Sequence, residues 1–345
     1  MSVALDATYS LGRNLSGVGV YSRKILFGLA QAHPEEQFYF HYRPHRFLRS
    51  LRDSLPANAR RRLLTGAPGA EIFHALNQRV DHRARRTVTT FHDLFVMTGE
   101  YSTADFRARF TAQARAAAER SDLVIAVSKF TAAQVESLLG VERNRIHVIP
   151  HGVDASVMSA GAREKMVLFV GAIQTRKNVA RLVRAFERMP RGWTLVLAGA
   201  ADGFGAAEEL AAIGKSTRSA DVHVAGYVSP GELDALYARA SIFAFPSLDE
   251  GFGMPVLEAM ARGVAVVTSN GSAMPEVAGD AALLVDPRSE DAIADAMVRL
   301  ASDEGLRSTL VERGLERVRE FTWERAVEST WDVYAKLRSL TVAAR

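Results

Sequence analysis

The stretch that decides the fold runs Phe243-Ala-Phe-Pro-Ser-Leu-Asp-Glu250-Gly-Phe-Gly253-Met-Pro-Val-Leu-Glu258-Ala-Met-Ala-Arg-Gly263-Val-Ala-Val-Val-Thr-Ser269. Ile242–Phe245 is a short apolar run of the buried-strand kind. Ser247–Met254 predicts a loop in which Gly251 and Gly253 let backbone come close to a ligand. Pro255 suits the first position of a helix and Gly263 the residue just past its end. Val264–Thr268 then predicts a second strand. Strand, glycine-rich loop, helix and strand make a parallel crossover, with the loop at the carboxyl end of a strand. Two carboxylates frame that loop: Glu250 before the glycines and Glu258 near the first turn of the helix. The amides of Phe252, Gly253 and Met254 lead into a helix N-terminus, which favours an anion. A carboxylate beside a phosphate site repels the ligand, so two of them need a reason, and accepting hydrogen bonds from sugar hydroxyls is one. Taken singly, Glu250 reads as a solvated loop acid and Glu258 as a first-turn helix acid. The Gly-x-Gly between them favours the ligand reading.

With 345 residues the chain fits two domains of ordinary size better than one. Its 48% hydrophobic and 24% charged residues are those of a globular chain, not a disordered one. No cysteine is present, so disulfides and thiolate metal sites are excluded, in keeping with a reducing cytoplasm. The first residues are strand-like and lack a basic segment followed by a long apolar one, so no signal peptide is expected. No apolar run approaches the ~18 residues of a membrane-spanning helix. The expected location is cytoplasmic. Charge is uneven: residues 1–150 carry a net +8 and the remainder −4, within an overall +4. A basic first half suits an anionic partner, nucleic acid or a lipid surface or lipid-linked phosphate among them, although basic clusters are more often solvated faces.

Along the first half, strands are expected over Ser2–Asp6, Gln37–His41, Glu71–His74, Thr87–Phe91, Leu123–Val127 and Ile146–Ile149, with helices over Val20–Ala32, Ala104–Arg120 and Phe130–Leu139. His151–Lys165 reads as a linker. The alternation restarts with strands at Met166–Gly171, Thr194–Gly199, Val222–Gly226, Ile242–Phe245, Val264–Thr268 and Ala282–Asp286. Helices are expected over Val179–Arg188, Pro230–Ala240, Pro255–Arg262 and Glu290–Ser302, and over Trp323–Arg338 near the end. This is an α/β chain of two doubly wound, Rossmann-like domains, with ligands at the carboxyl ends of strands in a cleft between them. His45–Leu55 reads as a helix with Phe47, Leu48, Leu51 and Leu55 on one face. Arg46, Arg49 and Arg52 lie largely away from it, and Arg60-Arg61-Arg62 follows. Such a segment either lies in a membrane interface or packs its apolar stripe on the sheet.

Glu250-Gly-Phe-Gly-Met-Pro-Val-Leu-Glu258 resembles the signature of glycosyltransferase family 4, retaining enzymes of the GT-B fold that use nucleotide-diphosphate sugars. Further motifs follow in family order. Ser16-Gly17-Val18-Gly19 resembles the family's glycine loop over the donor phosphate and acceptor side; it is not a dinucleotide fingerprint, because no third glycine follows. His92-Asp93 resembles the family's His-Asp, whose histidine contacts the transferred sugar. Arg176-Lys177-Asn178 resembles its basic diphosphate-binding motif. Each has a duller alternative: a tight turn, a structural strand-end histidine, a solvated turn. Ser128 reads equally as a helix cap.

The resemblance implies domains over 1–155 (acceptor) and 162–322 (donor), with 323–345 as a last helix returning to the first. It implies His92 and Glu250 as catalytic residues, Glu250 near the reacting face of the sugar. Gly17, Gly19, Arg176, Lys177, Tyr227, Val228, Phe252, Gly253, Met254 and Glu258 would bind the donor, Tyr227 and Val228 at the base and Glu258 at the ribose. Front-side attack, with the departing phosphate assisting deprotonation of the acceptor, is the family's mechanism. No metal or other cofactor is implied: there is no Asp-x-Asp, and two cations take over charge neutralisation. The expected partners are a GDP- or UDP-linked sugar, a glycan or lipid-linked acceptor and the inner face of an anionic membrane, and no nucleic acid. Gly253-Met254-Pro255 with Ser269-Asn270-Gly271-Ser272 most resembles bacterial mannosyltransferases of surface polysaccharide assembly. The rivals are a UDP-sugar transferase for glucose or N-acetylglucosamine, a nucleotide-sugar epimerase or hydrolase, and a noncatalytic nucleotide-sugar-binding protein.

Overall fold

The computed structural model describes residues 1–12, 15–154 and 162–342. The chain forms two compact units: Met1–Gly152 together with the segment from Phe321 onward, and Val153–Glu320. The linker expected over His151–Lys165 lies outside the described residues for 155–161. At its edges, His151 belongs to the first unit, and Glu164 and Lys165 are already in a strand.

The first unit is built on a seven-stranded sheet: β1 (Ser2–Asp6), β2 (Gln37–Tyr42), β3 (Ala59–Leu63), β4 (Ile72–Ala75), β5 (Thr87–Phe91), β6 (Leu123–Ala126) and β7 (Ile146–Val148). Their order is β3-β2-β1-β4-β5-β6-β7, and every pairing is parallel. Around it lie α1 (Gly17–Ala32), α2 (Pro44–Ser50), α3 (Phe95–Thr98), α4 (Ala104–Arg120) and α5 (Lys129–Leu139). The second unit carries β8 (Glu164–Val170), β9 (Thr194–Ala198), β10 (Val222–Gly226), β11 (Ala240–Phe245), β12 (Ala265–Ser269) and β13 (Ala282–Val285), ordered β10-β9-β8-β11-β12-β13 and again all parallel. Its helices are α6 (Val179–Phe186), α7 (Ala206–Lys215), α8 (Pro230–Arg239), α9 (Met254–Ala261), α10 (Met274–Ala278), α11 (Glu290–Ser302) and α12 (Glu304–Arg317). The last helix, α13 (Trp323–Val342), belongs to the first unit. There it packs on α1, with the Trp331 ring stacked on His33 at 3.6 Å.

Buried strands of apolar and β-branched residues, such as Met166–Phe169 and Val264–Val267, explain why both sheets are parallel and covered on both faces. In each sheet the winding reverses once, between β1 and β4 and between β8 and β11. Doubly wound sheets open a crevice for ligands at that point.

Several local expectations change. α1 starts at Gly17, capped by Ser16 Oγ, so Gly17 and Gly19 sit in its first turn and not in a preceding loop. A Cβ at Gly19 would stand 2.9 Å from the Tyr9 carbonyl oxygen, so glycine serves helix-to-backbone packing here. The basic helix is shorter than expected and ends at Ser50. Phe47 and Leu55 are half-buried, whereas Leu48 and Leu51 are 77% and 58% exposed, so this apolar face does not pack wholly on the sheet. Arg60–Arg62 belong to an edge strand, β3, that the pattern did not show. α12 was likewise unforeseen.

One close approach in the first unit is testable. A Cβ on Gly152 would lie 2.3 Å from the Trp323 backbone nitrogen, and backbone cannot swing aside as a side-chain tip can. We expect Gly152→Ala to destabilise the chain by about 2 kcal/mol, as overpacking does; a denaturant midpoint equal to the wild type's would refute this packing.

Candidate active site

The second unit's reversal point gathers the charged residues. The turn after β8 carries Arg176 and Lys177, and the loop after β11 carries Ser247, Asp249 and Glu250. Glu250 Oε1 lies 2.8 Å from Arg176 Nη1, 2.6 Å from Lys177 Nζ and 2.6 Å from Ser247 Oγ, whose hydroxyl donates to it. All three charged side chains are buried, at 7–8% exposure. Burial alone would raise the Glu250 carboxyl. Arg176, Lys177 and the two hydrogen bonds outweigh it and hold the group down to about 2, so it stays ionised.

Backbone bonds make the two segments one piece. The Leu248 amide donates to the Arg176 carbonyl at 2.8 Å, Ser247 Oγ lies 3.1 Å from the same oxygen, and Arg176 Nη1 donates to the Asp249 carbonyl. Lys177 Nζ also sits 4.5 Å from the centre of the Phe245 ring, a cation–π contact. Asn178 ends the turn at φ 62°, and its Nδ2 donates to the carbonyls of Pro246 and Pro287 at 2.9 and 2.7 Å. Asparagine tolerates that left-handed conformation better than most residues do.

The glycine-rich loop ends at Gly253, the cap of α9, with φ 98° and with Met274 Cε 2.3 Å from where a Cβ would be. Only glycine fits. In the first turn of α9 Pro255 has no N–H, and the Val256 amide donates to the Gly253 carbonyl at 3.0 Å. Glu258, one turn on, is half-buried and accepts from Tyr237 Oη at 3.1 Å. Burial pushes its carboxyl up, against the pull of Arg262 and Tyr237. Arg262 lies over the Tyr237 ring at 4.9 Å and donates to the Glu258 carbonyl at 3.1 Å. Gly226, with φ 66°, starts the segment holding Tyr227, which is 54% exposed, and the half-buried Val228.

His92 follows β5 in the first unit and is 6% exposed. Its Nε2 lies 2.9 Å from the Leu76 carbonyl oxygen and its Nδ1 3.4 Å from His151 Nε2. Burial holds the imidazole down to about 4. Tyr21, from α1, presents its ring to His92 edge-on at 4.8 Å. Ser128 caps α5, its Oγ accepting from the Thr131 amide at 2.9 Å.

The structure therefore brings Arg176, Lys177 and Glu250 into contact and sets Phe252, Gly253, Met254 and Glu258 on the adjoining loop and helix. Gly17, Gly19 and His92 lie in the other unit. Sequence reading passed over Ser247, Tyr237, Arg262 and His151. Asn178, read there only as part of the basic motif, proves to be the left-handed residue that closes the turn.

A pair of parallel, doubly wound units, one with buried cations beside a glycine-capped helix start, defines a protein of the GT-B type. Residues 8–157 match the model of "Glycosyltransferase Family 4" and residues 158–317 that of "Glycosyl transferases group 1". O-antigen chain mannosyltransferase B of Escherichia coli is 31% identical over 77% of this chain and 74% of its own. An MMP alpha-(1->4)-mannosyltransferase of Mycolicibacterium hassiacum is 32% identical over 62% of this chain, which spans 54% of that relative's length. Sucrose-phosphate synthase of Thermosynechococcus elongatus superposes with a TM-score of 0.81 at 21% identity, over 99% of this chain and 100% of that one, a likeness of fold. The chain belongs to glycosyltransferase family 4 and transfers a sugar.

Removing the central carboxylate should expose its structural role. We expect Glu250→Gln, which leaves two buried cations without their shared counter-charge, to cost about 3 kcal/mol. Because the folded-state value of Glu250 is depressed, its contribution is complete above the ordinary carboxylate range and is lost as pH falls towards about 2. Acid unfolding curves of the two proteins should therefore converge as pH approaches about 2. Curves that run parallel down to pH 2 would refute this assignment.

Proposed function

We propose that this enzyme is a retaining mannosyltransferase that moves mannose from GDP-mannose to a glycan or lipid-linked acceptor in surface polysaccharide or glycolipid synthesis. The observation that carries it is the buried Arg176–Lys177–Glu250 cluster beside the Gly253 helix start, supported by the mannosyltransferases among its relatives. In this reading Arg176, Lys177 and the amides of Phe252–Met254 hold the diphosphate. Charge builds up there as the sugar leaves, and cations already in place lower that barrier. Glu250, kept ionised, accepts hydrogen bonds from hydroxyls near the reacting face of the sugar. Glu258 takes the ribose, with Tyr237 setting its carboxylate. Tyr227 and Val228 border the base, and Gly17 and Gly19 lie at the phosphate and acceptor side. His92, in the first unit, is assigned a sugar contact by the family resemblance alone. Attack comes from the face the phosphate leaves, and the departing oxygen takes the acceptor's proton. The two cations do the work of a metal, so none is required. A UDP-sugar transferase of the same family is the reading to be separated from this one.

The acceptor reading extends to a membrane. No helix among the described residues is long and apolar enough to cross one. Leu48, Leu51 and Leu63 are exposed, and Arg46, Arg49, Arg52, Arg60 and Arg62 lie on the same α2–β3 stretch. Apolar edges amid arginines suit reversible docking on anionic lipid at the inner face of the cytoplasmic membrane, with each cation worth about 1 kcal/mol.

Two experiments test these readings. In a thermal-shift panel of nucleotide sugars, GDP-mannose should raise the melting temperature most, and should do so equally in EDTA. Lys177→Ala should weaken GDP binding about tenfold or more, the loss of a charge-assisted contact worth roughly 1.5–3 kcal/mol. A shift by UDP-glucose alone transfers the assignment to the rival, and unchanged GDP affinity removes Lys177 from the site. Separately, the protein should cosediment with anionic vesicles at low salt and release at high salt, and Arg46→Glu with Arg49→Glu and Arg52→Glu should abolish this. Indifference of the wild type to such vesicles would point to a soluble acceptor.

A further inference from the structure

A set of polar side chains packs around His92, and the contact of that ring with the Leu76 carbonyl settles where its own proton is. A carbonyl oxygen only accepts, so the 2.9 Å contact with Leu76 requires the proton of neutral His92 on Nε2. Its lone pair is then on Nδ1. That atom faces His151 Nε2 at 3.4 Å, and two lone pairs would repel, so His151 presents an N–H. The rings stack with centroids 5.3 Å apart and 25° between planes, and Tyr21 touches both at 4.8 Å. From Tyr21 the chain runs inward. Tyr21 Oη is 3.0 Å from Thr90 Oγ1, Thr90 Oγ1 is 2.8 Å from His74 Nε2, and His74 Nδ1 is 2.6 Å from Tyr334 Oη. Tyr21, His74, Thr90 and Tyr334 are wholly buried. Burial keeps His74 and His151 neutral as well, each pushed further down by its neighbour His92.

We propose that this network is a positioning device for His92, with His151 and, at the far end, Tyr334 of the last helix as positioning residues. It holds the ring as the Nε2–H tautomer, so that His92 meets a sugar hydroxyl only as an acceptor, through Nδ1. The proposal rests on the reading of His92 as part of the sugar site. The two contacts of the ring are unequal. At 2.9 Å the Leu76 bond is of ordinary length, while 3.4 Å is beyond the usual range for a nitrogen donor. A substrate hydroxyl can therefore replace His151 at Nδ1 at little cost, whereas the Leu76 bond persists. Burying so many polar groups costs stability unless all are paired, and a paired network fixes ring orientations as apolar packing does not.

The test uses the full chain with ¹⁵N-labelled histidine at pH 7, because tautomers show directly in the two ring nitrogens. We expect His92 to show a protonated Nε2 and an unprotonated Nδ1, and GDP-mannose to shift the Nδ1 signal while leaving Nε2 in place. Tyr334→Phe removes one hydroxyl and keeps the ring. It should mix the tautomers of His74, broaden His92, and slow GDP release from GDP-mannose about tenfold with little change in GDP-mannose affinity. His151→Leu, with no donor, should act likewise, and His151→Gln, whose amide can donate, should recover most of the rate. A proton on Nδ1 of His92, an imidazolium at pH 7, or wild-type spectra and turnover in both Tyr334→Phe and His151→Leu would overturn the proposal. If the wild type binds no nucleotide sugar, the mannosyltransferase reading falls, while the spectra still decide the tautomer.

Discussion

One carboxylate holds the second unit's site together. Arg176 and Lys177 are adjacent, buried and of like charge, an arrangement that no folded chain keeps without a counter-ion. Glu250 supplies it, with both cations and the Ser247 hydroxyl converging on a single oxygen. That convergence ties the turn after β8 to the loop after β11 across the point where the sheet reverses. For the proposed reaction the consequence is electrostatic preorganisation: the cations are in place before charge develops on a leaving group. The bond that stabilises the cluster would then also set its chemistry.

Polar groups are buried by opposite means around Glu250 and around His92. At Glu250, in the second unit, the groups are ionised and paired. In the first, around His92, they are neutral and chained by hydrogen bonds from Tyr21 to Tyr334. Neutral chains avoid the desolvation cost of buried ions, and their product is orientation, not field strength. In the proposed reaction a leaving diphosphate calls for positive charge, and recognition of a sugar hydroxyl calls for a well-aimed lone pair. The ionised cluster suits the first of these tasks and the neutral chain the second.

The parallel architecture was legible because buried parallel strands read as apolar runs with turn residues at both ends, as at Ile242–Phe245 and Val264–Thr268. Gly253, Pro255 and Gly263 marked a helix that starts at Met254 and ends at Ala261, one residue from expectation. β3 was not legible: Arg60–Arg62 interrupt any alternation, and an edge strand facing water needs no apolar pattern. The basic helix was drawn too long because Leu51 and Leu55 fit a helical stripe, although Leu51 faces solvent. Gly17 and Gly19 looked like a loop because glycine lowers helix propensity, yet contact with Tyr9 outweighs that preference. Ser247, Tyr237 and His151 escaped notice for a different reason. Each acts on a residue brought close by folding, or, for Ser247, through a bond that common loop serines do not announce.

Glu250 and Glu258 stand in one nine-residue motif and meet opposite fates. Burial raises both carboxyls. Two cations at Glu250 reverse the effect, whereas Glu258 has one neighbouring guanidinium, already engaged with Asp234, and a tyrosine hydroxyl. An ionised Glu250 is shielded by its partners and can stand beside a diphosphate without repelling it. Glu258 lacks that shielding, so its ionised form gains most from new donors, and a pair of vicinal hydroxyls would supply them. The spacing that separates the two acids by seven residues therefore also separates their electrostatic surroundings. On the proposed reading, this lets one helix start hold an anion while its next turn accepts from a neutral, hydroxyl-bearing ring.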